Sequence, residues 1–168
     1  MFSLSTADLD PVYETNVTFR GFSWGTSMDE VIRRMGNPVS RENVNGFTSL
    51  LWENVEVNGY MTYMLAYFSS AGLQGGTYYF LTKEDDLDEL MRCYTEVQHD
   101  LRERYGPTRV FNGIIREMRP YDSLWNLAGG SIHLKVNTRR GDPVTLWFCS
   151  PEMTSEMYSN IPDTTVRR

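Results

Sequence analysis

The stretch TSLLWENVEVNGYMTYMLAYF, residues 48–68, decides the fold. Asn58-Gly59 divides it into two runs rich in β-branched and aromatic residues. Both residues tolerate the positive φ of a type I′ turn, so the pair predicts a two-residue β-hairpin. Just beyond, Ser69-Ser70-Ala71-Gly72 predicts a second turn. Three antiparallel strands result, over about residues 48–57, 60–68 and 73–81.

The hairpin also assigns faces. Pairing Val57 with Tyr60 under regular alternation puts Leu51, Val55, Val57, Tyr60, Met64 and Phe68 on one side. Leu50, Trp52, Met61, Tyr63, Leu65 and Tyr67 fall on the other. Both sides are substantially apolar, whereas an antiparallel sheet with helices on one side usually keeps a polar outer face. Something should cover the second face: another part of the chain, a second copy, or a partner. Large exposed apolar patches mark interaction sites, and Trp and Tyr supply binding hot spots. Trp52, Tyr63 and Tyr67 are therefore the candidate binding residues.

Helices flank these strands. Upstream, Ser27-Met28-Asp29-Glu30 has the form of a capping box, with Ser27 accepting the Glu30 amide and Glu30 reaching back to that of Ser27. Met28, Val31, Ile32 and Met35 continue at helical spacing until Gly36 and Pro38 stop the helix. Downstream, Leu87, Leu90, Met91, Tyr94, Val97, Leu101 and Tyr105 form one apolar stripe, ended by Gly106-Pro107. Glu84, Asp85, Asp86, Asp88 and Glu89 at its start and Arg102 and Arg104 near its end complement its dipole. More strands are expected over about 109–118, 124–128, 131–137 and 144–149.

The fold class is thus α+β, helices packed on an antiparallel sheet, in a single domain over 1–168. Two degenerate helix-plus-strands halves, 19–81 and 82–149, are suggested by the Gly-x-Pro and Gly-Pro that end the two helices. Residues 150–168 read as a tail on the surface.

Composition narrows the function. The net charge of −6 and pI near 4.9 oppose nonspecific binding to nucleic acid or anionic membranes, which needs a basic surface. The longest apolar run, residues 64–68, is too short to span a bilayer. Residues 1–11 lack the basic start and apolar core of a signal peptide, so the expected location is cytoplasmic, or periplasmic where a leader precedes them.

Asp85, Asp86, Asp88 and Glu89 lack the spacing and central Gly of a calcium loop. His99 and His133 have no second His or Cys at metal-ligand spacing, and no Gly-x-Ser-x-Gly elbow is present. Cys93 and Cys149 read as buried free thiols, and the glycines of residues 71–76 as turn or bulge. No enzyme, metal site or cofactor is expected.

The sequence FRGFSWGTSMDEVI, residues 19–32, followed by MGNP, residues 35–38, resembles the opening of small bacterial proteins of the SmpA/OmlA and β-lactamase-inhibitor-protein-like group. That resemblance implies helices on a curved antiparallel sheet, often in tandem repeats, and a protein-binding or envelope-assembly role. The expectation is a non-enzymatic interaction module with a protein partner or a second copy as ligand. Its competitors are a small-ligand carrier or enzyme with a pocket between helix and sheet, and an envelope assembly factor.

Overall fold

A computed structural model describes residues 12–83, 86–108, 121–136 and 142–158. The elements run α1 (Met28–Met35), β1 (Ser40–Val44), β2 (Phe47–Val57), β3 (Tyr60–Ser69), β4 (Gly72–Phe80), α2 (Leu87–Tyr105), β5 (Asp122–Leu127), β6 (Gly130–Lys135), β7 (Thr145–Cys149) and α3 (Pro151–Tyr158). The seven strands form one antiparallel sheet in the order β1-β2-β3-β4-β7-β6-β5. The fold class is α+β. Each meander follows a helix, and the last strands of the two meanders pair with each other.

Local chemistry explains the elements. Asn58 and Gly59 take φ of 51° and 80°, so the hairpin turns where the sequence predicts. Ser27 caps α1 by accepting the Glu30 amide at 3.2 Å. The reciprocal half of the capping box does not form, because the Glu30 carboxylate instead pairs with Arg33 at 2.7 and 2.8 Å. Asp86 caps α2 through the Glu89 amide, and the Glu89 carboxylate reaches back to the Lys83 amide.

The two halves share one device. Gly36 and Gly106 end α1 and α2 with nearly the same backbone, φ 87° and 90°, conformations that suit a residue without Cβ. Trp52 donates its indole N–H to the Gly36 carbonyl at 3.0 Å, and Trp125 donates to the Gly106 carbonyl at 2.8 Å. Each tryptophan pins its half of the sheet to the preceding helix end.

The core lies on the helix-covered face, here called inner. Leu50, Trp52, Val55, Met64, Ala66, Phe68, Tyr78 and Phe80 meet Val31 of α1, Leu90, Tyr94 and Val97 of α2, and Phe19 and Phe22 of the lead-in. A Cβ on Gly76 would overlap the Phe19 ring, so glycine there lets Phe19 descend onto the sheet.

Three expectations are corrected. Trp52 and Leu50 do not share a face with Tyr63 and Tyr67. The register shifts between Trp52 and Val55, with Asn54 at φ 57°, so the strand gains one residue and its alternation reverses. Leu50 and Trp52 thereby join Val55 on the inner face, and Leu51 moves to the outer one. β1 lies where no strand was expected, and 151–158 is helical, with Ser150 accepting the Met153 amide at 3.0 Å as its cap. The strand expected over 109–118 lies outside the described residues.

Candidate functional site

The outer face is built from rows of side chains that cross the strands. One row runs Leu51, Leu65, Thr77, Trp147, His133 and Leu124 over β2, β3, β4, β7, β6 and β5. Beside it run Tyr63, Tyr79, Thr145, Lys135 and Asp122. On the other side lie Tyr67, Gly75, Cys149, Ser131 and Asn126.

α3 covers part of that last row. Met153 rests over Gly75, where a Cβ would meet its sulfur at 2.5 Å. Ser131 and Thr154 hydroxyls are 2.7 Å apart, and Ser150 donates to the buried Gln74 side chain at 2.8 Å. Among the described residues no helix covers the β1–β3 portion. Met61 and Tyr63 of β3 and Leu81, just past the end of β4, are 47, 40 and 42% exposed. Leu81 lies beside Met61, whose carbonyl accepts the Leu81 amide at 2.9 Å.

Of the three candidate residues, the structure brings two to this surface. Tyr63 is exposed, and Tyr67 is half-buried against Trp147, with ring centroids 6.1 Å apart and planes within 2°. Burial pushes the Tyr67 phenol up to about 12. Trp52 is 5% exposed in the core and is not part of the face. Trp147 and Met61 take its place. Trp147 joins the site through the β4–β7 pairing, a contact between distant segments that no local pattern announces.

Two polar atoms stand out at the centre. His133 Nε2 and Trp147 Nε1, on directly paired residues, are shielded from solvent and make no hydrogen bond. Asp122 Oδ1 is 3.5 Å from His133 Nε2, too long for a good N–H···O bond. Lys135 Nζ is 6.0 Å from the centre of the Trp147 ring, at the outer limit of a cation–π contact.

The remaining candidates sit elsewhere. His99 is exposed on α2, 3.1 Å from Glu103. It lines an open groove with Tyr13, Gln98 and Arg102 on the solvent side of α2, whereas the helix–sheet interface is filled by Tyr94, Val97 and Leu101. Cys93 and Cys149 are buried free thiols, raised to about 12 and about 11 by burial. Among the described residues no three His, Cys, Asp or Glu side chains form a metal-binding group. No helix among them is long and apolar enough to cross a membrane.

No family model matches the chain, and no curated protein matches it in sequence. Solved structures are similar in fold. One is a cysteine-rich secretory protein from Staphylococcus aureus subsp. aureus Mu50, at TM-score 0.50 and 7% identity, covering 85% of this chain and 50% of that one. Another is an extracellular protein containing a SCP domain from Bacillus anthracis str. Ames, at TM-score 0.48 and 10% identity, covering 89% and 51%. The chain spans about half the length of each. At these identities the likeness concerns the fold alone.

Proposed function

We propose that this chain is a non-enzymatic interaction module that holds a protein partner on the outer face of its sheet. The observation that carries the reading is the exposure of Met61, Tyr63 and Leu81 side by side on one face. An apolar surface of this kind gains from being covered, and rigid aromatic side chains lose little entropy when it is. Tyr63 is the leading anchor. Tyr67 and Trp147, stacked on each other farther along the same face, give a partner a stiff surface to pack on. The resemblance of residues 19–38 to envelope-assembly and inhibitor-like proteins is in keeping with this role.

Affinity capture from extracts of the source cell tests it. The intact chain and a Met61→Ser/Tyr63→Ala variant are compared after circular dichroism has shown equal folding. The variant should recover a specific partner at least about fivefold less well, as loss of a hot spot does. Equal recovery by both forms would overturn the reading. Sizing with light scattering separates a second copy of the chain from a different partner.

A small-ligand reading draws on one observation, that the buried His133 Nε2 and Trp147 Nε1 make no hydrogen bond. Unpaired buried polar groups are costly, and a ligand offering an acceptor would relieve both. A change in Trp147 fluorescence on adding simple carboxylates would support it; an unchanged spectrum would not.

A further inference from the structure

Charge around the exposed face says what kind of partner fits it. Glu56 is paired directly with Met61 across β2 and β3, and both point outward. Tyr63 faces the bulge, where Glu53 and Asn54 are exposed together between the paired residues Trp52 and Val55. Glu42 continues the same side from β1, paired with Ser49. Within the seven strands, Lys135 is the cation on this face, and it lies directly across β5 and β6 from Asp122. The exposed apolar patch is thus bordered along β2 by two carboxylates, Glu53 and Glu56, with Glu42 farther along the same face, and neither β2 nor β3 carries a lysine or arginine.

The bulge makes this border. Regular alternation at residues 52–55 would send Trp52 outward in place of the Glu53–Asn54 pair. The extra residue instead buries the indole and leaves a carboxylate beside Tyr63.

Resting on the interaction reading, we infer that the partner is a protein segment presenting apolar side chains flanked by lysine or arginine, seated on Met61 and Tyr63 with its cations toward Glu53 and Glu56. A second copy of this chain fits less well, because two such faces would bring like carboxylates together, and like-charge juxtaposition selects against a partner. An acidic or neutral apolar segment would leave the carboxylates partly desolvated and unpaired.

The test uses the full chain and defined probes. Fluorescein-labelled peptides of about eight residues alternate leucine with lysine, with glutamate or with serine, a spacing that puts all leucines on one face of an extended strand. Polarisation is read at about 0.05 M and about 0.5 M salt, where screening differs several-fold in range. The lysine peptide should bind most tightly, weaken at high salt, and lose about five- to tenfold in affinity to Glu53→Gln/Glu56→Gln. Equal binding of all three peptides, no binding of the lysine peptide, or no effect of the double variant would overturn the inference.

The same double variant goes through the partner capture described above. If Met61→Ser/Tyr63→Ala abolishes recovery while Glu53→Gln/Glu56→Gln leaves it unchanged, the interaction module stands and the basic-partner inference falls. If neither changes recovery, both fall. Concentration-dependent dimerisation removed by Tyr63→Ala would also overturn the inference, since it would name a second copy as the occupant.

Discussion

Trp52 and Trp125 make the same hydrogen bond in the two halves of the chain, each donating its indole N–H to the carbonyl of the glycine that ends the preceding helix. The glycines share a backbone conformation, and each amide bonds the carbonyl four residues earlier, Ile32 or Arg102. The indole therefore satisfies a carbonyl that the helix end leaves open while filling the space between helix and sheet.

Replacing either indole with phenylalanine keeps most of the apolar volume and removes the donor. Measured by urea unfolding, Trp125→Phe should lower stability by about 1–3 kcal/mol, because the buried Gly106 carbonyl loses its partner, and Trp52→Phe by less, about 0.5–1.5 kcal/mol, because water can reach the exposed Gly36. Trp125→Ala should cost more, about 3–5 kcal/mol, since Trp125 is fully buried. Equal stability of the phenylalanine variants and wild type would show that the bond contributes nothing.

The bulge at Glu53–Asn54 holds the register of β2. Deleting Asn54 would restore regular alternation and drive Leu50 and Trp52 onto the outer face, so the variant should fail to fold cooperatively. Asn54→Gly suits the positive φ and should change stability by a few tenths of a kcal/mol, about 0.5 at most. Asn54→Val should cost about 1–2 kcal/mol because a β-branched residue resists that conformation. Thermal melts of the three variants give the ranking.

Two glycines should respond differently to the same substitution. Gly76→Ala pushes a methyl into the Phe19 ring at the sheet centre, so about 2–3 kcal/mol should be lost. Gly59→Ala meets open space and pays only for its φ of 80°, about 1 kcal/mol. A reversed order in chemical denaturation would contradict the packing of Phe19 over β4.

Tyr67 sets an upper pH limit. Its phenol rises from 10.0 to about 12, chiefly through burial. A raised folded-state value means the folded chain holds this proton more tightly than the unfolded chain. The resulting stability is complete below pH 10 and drains away as pH climbs toward 12. Burial also raises Tyr60, Tyr78, Tyr79, Tyr94 and Tyr105, so ultraviolet titration should show a late-ionising group that loses one member in Tyr67→Phe, and that variant should lose less stability across the same window.

Both thiols should be silent in the folded chain. With Cys93 near 12 and Cys149 near 11, thiolate is scarce at pH about 8, and burial blocks access as well. A disulfide reagent should label neither until denaturant is added. Prompt labelling of one thiol in native buffer would show that its cover opens.

Much of this molecule was legible because its causes are local. Asn58-Gly59 turns the chain with its own backbone preferences, Ser27 caps its own helix, and the stripe from Leu87 to Tyr105 needs only a 3.6-residue period. β1 leaves no sequence signal, because Ser40–Val44 is exposed throughout and has no alternation to reveal it. The eight residues of α3 have weak periodicity, and their helix is held by Ser150 and by contacts with Gln74, Gly75 and Ser131.

The candidate surface divides in the same way. Sequence alone determined that β2 and β3 form a hairpin with apolar residues on both faces, and it placed Tyr63 and Tyr67 together, because alternation in β3 is unbroken between them. Only the tertiary structure decided that Trp52 belongs to the core and Trp147 to the outer face. A one-residue bulge reverses every side chain before it, and the pairing of β4 with β7 joins segments about seventy residues apart. Both outcomes come from packing the whole sheet at once, where the gain from burying Leu50 and Trp52 under the helices exceeds the cost of one strained asparagine.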